Sequence, residues 1–446
     1  MKSLEFFGVS GWGTLGAAVL FFVLLYGISR LPKKKFEFAV RVLTGGAAGA
    51  AYGLAAWFIS GGGEKSSPFA EELKTWFQLV GFGYVSLLKC LVLPMILIAG
   101  IRLVIKTPLS KTRSPLDQWK KWVNTLMLAA SVLIATVLGL VFQVGAAPGS
   151  GQEIFSWSGG EGAGFTEAVS RLIPSGIGED LLLGHSVGIF VFAAFIGIAA
   201  RRMSVKYMDT IRPFLDVTEA CFMTGTSVCK AVIAYKPVGA CAIMAGFTAA
   251  YGPGALIMLG KFLAVLCLAS AGMLLLQLFL CALSGVGPAA FVKAGKKAMA
   301  KALKTRSGSA CLKDAQDALA DGLGLKREIT DPVASYAIQS GMQGCGALFP
   351  AMAAVFAAGL CGISLTPGLV LSLVVVIVLT SYGITGVPGT ATMAEFSAVM
   401  GSGLGGAVFG LGPMVAIDPI GDVPRTLINV TGCMANAIIV ERRVRE

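Results

Sequence analysis

The sequence predicts an all-α polytopic membrane protein with about nine spans and two re-entrant helical hairpins in inverted repeats. Hydrophobic residues make up 55% of the 446 residues and charged residues 13%, about half of the charged share of soluble domains. Apolar stretches of about 20 residues, long enough to cross a bilayer core, recur along the chain. Basic residues gather in every second connection between these stretches.

Seven spans are predicted in the first two thirds of the chain. They are Trp12–Ile28, Phe38–Ile59, Trp76–Ile105, Trp122–Ala146, His185–Ala200, Val217–Tyr251 with a break at Pro237, and Ala255–Leu283. The second span contains "GGAAGAAYG" (45–53), a small-residue face that favours close helix packing.

The alternation of basic connections predicts the orientation of the chain. Lys33, Lys34 and Lys35 follow the first span, and further clusters follow the third, fifth and seventh spans. The positive-inside rule then puts the amino terminus outside and the carboxyl terminus in the cytoplasm, in a cell inner or plasma membrane. Topology, rather than a nucleic-acid partner, explains the net charge of +12, and the expected macromolecular surroundings are membrane lipids.

Histidine and cysteine usage argues against an enzyme or a disulfide framework. The ten cysteines form no CxxC pair and are expected to act mostly as small buried hydrophobes. His185 lies at a predicted membrane boundary, where an interfacial role is favoured over a proton relay. The chain has no HExxH motif and no evident nucleophile–base pair.

After Leu283 the regular spans give way to two interrupted units. A polar hairpin with the tip "TRSGSACL" (305–312) precedes a span, Val333–Leu360, that is broken by "QSGMQGCGALFP" (339–350). An apolar arm, the tip "TSYGITGVPGTAT" (380–392) and a last span follow. One span separates the units, so they begin on opposite sides. Paired breaks of this kind indicate a transporter site, although glycines that only allow tight packing are the alternative.

The last span carries a polar stripe. Asp422, Arg425, Asn429 and Cys433 fall at offsets 0, 3, 7 and 11 and project into one sector of a helix, bordered by Thr426. A stripe with both charges suits a zwitterion, with Arg425 for a carboxylate and Asp422 for an ammonium group. A purely structural ion pair between them is the alternative. We interpret Pro424 as a first-turn residue.

The two tips offer complementary groups. The first supplies hydroxyls and backbone N–H groups near helix starts, which favour a carboxylate. The second can flex as a lid. The residues concerned are Ser307, Gly308 and Ser309 in the first tip and Gly386, Pro388 and Gly389 in the second.

Four segments resemble the dicarboxylate/amino acid:cation symporter family, which has the glutamate-transporter fold. They are "LLKCLVLPMILIAGI" (87–101), "KTRSGSACL" (304–312), "YGITGVPGTATM" (382–393) and "AIDPIGDVPRTLINVTG" (416–432). Within the family, "GMQGCGALFPAM" (341–352) and the additional first span are most similar to bacterial L-cystine transporters.

The resemblance implies a homotrimer in which a transport domain moves against a static scaffold like an elevator. Residues 1–36 would form the additional span, 37–283 mostly the scaffold with part of the transport domain, and 284–446 the core transport domain. Asp422 would hold the substrate amine and Arg425 a distal carboxylate. The remaining contacts to the amino-acid head group would come from Ser307, Gly308, Ser309, Met342, Gly386, Val387, Pro388, Gly389, Thr426 and Asn429.

The cation positions of the family are altered. Sodium-coupled members carry Asn-Met-Asp-Gly-Thr in the broken span, where this chain has Gly341 and Gln343, and an aspartate where it has Cys433. One backbone cation site remains a candidate, formed by Gln339, Ser381, Tyr382 and Ile384. We therefore expect uptake of an amino acid, best L-cystine, coupled to H+ or fewer Na+, with no other cofactor. Alternatives are another amino acid or a glutamate-like dicarboxylate, an ion channel, and a membrane enzyme.

Overall fold

A computed structural model describes residues 11–32, 34–62, 68–106, 114–146, 174, 176–384 and 387–445. All regular structure in these ranges is helical, which confirms the all-α prediction. The first nine helices are α1 (Trp12–Ser29), α2 (Phe38–Ile59), α3 (Pro68–Lys106), α4 (Pro115–Val141), α5 (Ile177–Leu183), α6 (Ser186–Lys206), α7 (Met208–Ala234), α8 (Lys236–Tyr251) and α9 (Pro253–Leu283).

The remaining helices form the interrupted units and the last span. They are α10 (Pro288–Thr305), α11 (Gly308–Asp317), α12 (Arg327–Gln339), α13 (Phe349–Leu360), α14 (Pro367–Gly383), α15 (Thr390–Gly401) and α16 (Gly412–Arg445). Two π-helical turns, Ala318–Gly322 and Gln343–Leu348, and a 3-10 helix, Gly405–Leu411, complete them.

The span count agrees with the sequence. Among the described residues, eight helical segments are long and apolar enough to cross a membrane, and the bent pair α7–α8 makes a ninth. The two members of that pair meet at 50°. Pro237 lies in the first turn of α8, next to the break, because a proline ring cannot be accommodated inside a continuing helix without loss of a hydrogen bond.

The interpretation of Pro424 as a first-turn residue was wrong. Helix α16 begins at Gly412, so both Pro419 and Pro424 lie inside it. The apolar segment before the charged stripe continues the helix, and tertiary packing outweighs the cost of the two prolines. Each proline lacks an N–H, so the carbonyl four residues earlier loses its intrahelical donor.

Helices α2 and α8 pack backbone to backbone through the predicted small-residue face. A Cβ atom on Gly45, Gly49 or Gly53 would lie 2.2, 2.0 and 2.1 Å from carbonyl oxygens of α8. Only glycine permits this approach, which supplies dispersion contacts where the bilayer gives no hydrophobic driving force between helices. Helix α8 also packs on α3, and α3 on α6 and α7.

A second group of helices surrounds α16. Helices α9, α4 and α12 all pack against it, and α13 packs on α4 and α15. The two predicted hairpins are present as α10–α11 and α14–α15, and they flank the broken span α12–α13. At the first tip, Arg306 has a φ of 52° and Ser307 caps α11 by accepting a hydrogen bond from Ala310 N.

Most of the cysteines are buried, as expected, and the histidine contacts an aspartate. All ten cysteines are free, and six of them are buried. His185 precedes α6, and its Nδ1 lies 3.1 Å from Asp180 Oδ1.

Candidate functional site

A cavity of about 740 Å³ lies between the two hairpin tips, the broken span and α16. The structure brings most of the predicted substrate residues to its wall. Those that line it are Ser307, Gly308, Ser309, Met342, Gly389, Asp422, Arg425, Thr426 and Asn429. Val387 and Pro388 are described but do not line it, and Gly386 lies outside the described residues.

Arg425 lies at the centre of an ionic cluster on α16. Its Nε donates to Asp422 Oδ1 at 3.0 Å, and its Nη2 donates to Asp418 Oδ1. Thr426 Oγ1 also donates to Asp422 Oδ1, at 3.3 Å. The side chain of Arg425 is 3% exposed, and its guanidinium carbon lies 4.4 Å from the ring centre of Phe349. A buried guanidinium requires such partners because its desolvation is costly.

One nitrogen of the Arg425 guanidinium has no hydrogen-bond partner among the described residues. Its Nη1 is buried and has no hydrogen-bond partner in the described part of the chain. A buried N–H without a partner is unfavourable, so a small movement of the guanidinium that brings Nη1 to the cavity would allow a carboxylate to accept from it.

Lys236 joins the cluster from another helix. It begins α8, it is 5% exposed, and its Nζ donates to Asp418 Oδ2. The same Nζ lies 3.4 Å from Thr392 Oγ1 on α15. The second tip reaches the same place, since a Cβ on Gly389 would lie 2.7 Å from Ile233 at the end of α7. The cluster therefore contains two cations and two carboxylates and connects α8, α15 and α16.

Asn429 forms hydrogen bonds with the backbone at the break in the broken span. Its Oδ1 accepts hydrogen bonds from Gly344 N at 2.7 Å and from Cys345 N at 3.2 Å, and its Nδ2 lies 3.0 Å from Cys345 Sγ. The amide thus satisfies N–H groups that the break in the helix leaves free. Thiol sulfur is a weak acceptor, so Nδ2 is the group of Asn429 that a ligand could recruit.

The altered cation positions are filled by a chain of amides. Gln343 Nε2 donates to Asn436 Oδ1 at 3.0 Å, and Gln343 Oε1 accepts from Gln277 Nε2 at 2.7 Å. Asn436 Nδ2 then donates to Asn124 Oδ1 at 2.9 Å. Asn124 Nδ2 donates to Ser340 O at 3.0 Å. Each of these amides has a partner in the chain, although Gln277 Oε1 is buried without one among the described residues.

The other two altered positions also offer little to a hard cation. Gly341 has a φ of 106°, in the region that favours glycine. Cys433 is 1% exposed and its Sγ donates to Val430 O at 3.1 Å. Sodium prefers oxygen ligands, which neither residue's side chain provides.

Two of the four residues of the candidate backbone cation site line the cavity. Gln339 and Tyr382 line the cavity, whereas Ser381 and Ile384 do not. Ser381 Oγ donates to Val378 O in its own helix, at 2.9 Å. Tyr382 Oη lies 2.8 Å from Thr125 Oγ1. The described residues contain no group of three or more His, Cys, Asp or Glu side chains suited to a metal ion.

Sequence reasoning missed Lys236, Asp418 and Thr392. Signals for the first two existed, because Lys236 is a lysine within an apolar span and Asp418 lies one turn before Asp422. Charged residues inside a membrane are costly and are therefore functional candidates. The meeting of Lys236 with Asp418, 182 residues apart, has no signature in the sequence.

Comparison with known proteins places almost the whole chain in one family. The model of the sodium:dicarboxylate symporter family matches residues 38–443. The chain is 28% identical over 456 residues to the L-cystine uptake protein TcyP of Bacillus thuringiensis subsp. konkukian, covering 97% of this chain and 95% of that protein. It is also 28% identical over 429 residues to the L-cystine uptake protein TcyP of Shouchella clausii, covering 92% and 90%.

Proposed function

Because this chain belongs to the sodium:dicarboxylate symporter family, a family of multi-pass membrane transporters, we propose that it takes up L-cystine. The observation that carries the proposal is the duplicated charge at the cavity: Lys236 and Arg425 face Asp418 and Asp422. L-cystine has two ammonium and two carboxylate groups, so its charges are complementary in number to these two carboxylates and two cations. The names of the relatives support the same substrate.

Each end of the substrate has its own partners in this proposal. Asp422 binds the first ammonium group, and the first tip with its Ser307, Gly308 and Ser309 binds the adjacent carboxylate. Arg425 binds the distal carboxylate through Nη1, which has no partner among the described residues. Lys236 and Asp418 then serve the distal carboxylate and ammonium group. Thr426, Asn429, Met342 and the second tip, with Gly386, Val387, Pro388 and Gly389, close around the head group.

The transport cycle is proposed to be of the elevator type. The group around α16, with both hairpins, would move against the group that contains α2, α3, α7 and α8. In the present state Arg306 at the first tip donates to Glu37 Oε2 at 3.2 Å, and Phe38, Arg102 and Lys106 line the cavity. These residues flank basic connections, so the cavity opens toward the side that we assign to the cytoplasm.

The proposal also covers the oligomeric state, the membrane location and the coupling ion. The protein forms a homotrimer in the inner or plasma membrane, with its amino terminus outside and its carboxyl terminus in the cytoplasm. Uptake is coupled to H+ or to fewer Na+ than in sodium-coupled relatives, because Gly341, Gln343 and Cys433 supply no carboxylate. The backbone near Gln339, Ser381, Tyr382 and Ile384 is the remaining candidate for a cation.

Uptake of radiolabelled L-cystine into proteoliposomes tests the proposal. We expect saturable uptake that unlabelled diaminopimelate, which also has two amino-acid ends, inhibits more strongly than glutamate or succinate. Imposing a proton or a sodium gradient separately identifies the coupling ion. Non-saturating ohmic current would favour a channel, and stronger inhibition by glutamate would favour a dicarboxylate carrier.

Arg425→Ala probes the site itself. Removing one member of a buried charge pair costs about 2–5 kcal/mol, and each 1.4 kcal/mol is about tenfold in affinity. We therefore expect kcat/KM for uptake to fall by about 30-fold to several thousandfold. Arg202→Ala, an exposed arginine at the end of α6, is the matched control and should leave uptake unchanged. Unaltered uptake by Arg425→Ala would remove the role of this residue.

A further inference from the structure

Glu395 is a buried carboxyl group that the proposed substrate site does not use. It lies in α15, the second arm of the hairpin α14–α15, and is 1% exposed. Its Oε2 has no hydrogen-bond partner among the described residues. An ionised carboxylate at such a place is strongly unfavourable unless a cation pairs with it or a proton neutralises it.

The helices that pack on α15 offer Glu395 few ionisable groups. Within the described residues, α13 and the 3-10 helix carry none, the π turn Gln343–Leu348 carries only Cys345, and α14 carries only Tyr382. Lys89 of α3 and the Asp180–His185 pair lie near Met400, toward the far end of α15. Arg102 and Lys106 of α3 line the cavity that Thr392 also lines, and both pair with Glu219.

The charges that act on Glu395 belong to the ionic cluster. Asp418 repels an ionised Glu395, whereas Lys236 and Arg425 attract it. Both cations are already engaged by Asp418, and Arg425 also by Asp422. The cluster is therefore neutral with Glu395 protonated and carries one excess negative charge with Glu395 ionised.

Glu395 lies one turn behind the wall of the cavity. Thr392 lines the cavity, and its Oγ1 is 3.4 Å from Lys236 Nζ. Residues three apart on a helix share a face, so Thr392 and Glu395 lie on the same side of α15. A small movement of the second hairpin can therefore bring the carboxyl group to water.

We propose that Glu395 is the proton-binding site that couples uptake to the proton gradient. The inference rests on the proposed transport of an amino acid and assigns its coupling ion. The carboxylate binds one proton from the outside, remains neutral while the site moves, and releases that proton on the cytoplasmic side. The altered cation positions, Gly341, Gln343 and Cys433, lack carboxylates. Glu395 takes over their role in coupling.

The charge count explains why a proton is required for movement. Lys236 belongs to α8, so the pair with Asp418 must break when α15 and α16 move away. The moving cluster then keeps Arg425 against Asp418 and Asp422, which leaves one negative charge. An ionised Glu395 would make it two, and protonation removes that second charge from a medium of low dielectric constant.

The experiment compares Glu395→Gln with the wild type in proteoliposomes. We expect an inward proton gradient to stimulate cystine accumulation by the wild type and this stimulation to be lost in Glu395→Gln. Exchange of internal for external cystine without a gradient should persist, because glutamine mimics the protonated acid. Glu328→Gln, an exposed glutamate in the first turn of α12, is the control and should keep the stimulation.

Infrared spectroscopy provides a readout that does not depend on the substrate. The purified wild type should show the C=O stretch of a buried carboxylic acid at neutral pH, Glu395→Gln should lack it, and Glu395→Asp should shift it. The inference would be overturned if Glu395→Gln kept both cystine exchange and its stimulation by the proton gradient. So would a wild-type spectrum without this band. Absence of any cystine exchange in the wild type would instead refute the proposed function.

Discussion

Gly344 packs directly against the backbone of the last helix. A Cβ atom at this position would lie 2.0 Å from the carbonyl oxygen of Arg425, and Gly344 N donates to Asn429 Oδ1 at 2.7 Å. Gly344 therefore fixes the distance between the broken span and the part of α16 that carries Arg425 and Asn429. The sequence predicted that these residues share a face, whereas their hydrogen-bond partners depend on this contact.

Gly344→Ala tests the contact. Overpacking costs about 1–3 kcal/mol, and here the neighbour is backbone, so we expect a lower thermal unfolding temperature and weaker cystine uptake. Gly260→Ala in α9 is the control, because a Cβ at that position meets no atom of the described chain within 4 Å. It should be neutral or stabilising by roughly 0.5–1 kcal/mol. Equal unfolding temperatures for the two variants would contradict this view of Gly344.

The ion pair between Lys236 and Asp418 joins α8 to α16, two helices that also pack against each other. Helix α8 packs on α2 and α3, and α16 packs on α9 and α12. In an elevator cycle this pair would be made in one state and broken in another. Its strength then contributes to the relative population of the two states.

A double-mutant cycle with Lys236→Met and Asp418→Asn measures the pair. Contacting residues couple by about 0.5–3 kcal/mol, so the double variant should lose less stability in thermal unfolding than the two single variants together. Lys230→Met, an exposed lysine of α7, should change stability by no more than about 0.5 kcal/mol. Strict additivity of the two single variants would show that the pair contributes nothing.

The contact between the first tip and the start of α2 reports on the state of the whole molecule. Arg306 Nη2 lies 3.2 Å from Glu37 Oε2, although the two residues are 269 positions apart. If the two helix groups move against each other during transport, a covalent link here should stop the cycle. A link within one group should not.

Paired cysteines at these positions test relative movement. In a background in which Cys90, Cys221, Cys267 and Cys361 are serine, we expect a short reducible thiol crosslinker between Glu37→Cys and Arg306→Cys to abolish cystine uptake. Reduction should restore it. The control pair Lys297→Cys and Asp314→Cys, whose native side chains are 2.8 Å apart within one hairpin, should transport when linked. Full uptake by the linked first pair would exclude an elevator movement at this contact.

The sequence by itself determined the helical membrane class, the nine spans, both hairpins and the polar face of the last helix. These features depend on local composition and periodicity, which a bilayer makes unusually informative because it requires each span to satisfy its own backbone. The start of α16 was placed too late, because a proline such as Pro424 resembles the first turn of a helix when its packing is unknown.

Only the tertiary structure decided which charges meet. It placed Lys236 of α8 against Asp418, filled the altered cation positions with the amides of Gln343 and Asn436, and left Glu395 buried beside the cluster. Pairing across such separations depends on how helices cross, and glycine contacts between backbones fix this crossing for α2 and α8. Local sequence patterns do not contain that information, because each residue's partner lies in another part of the chain.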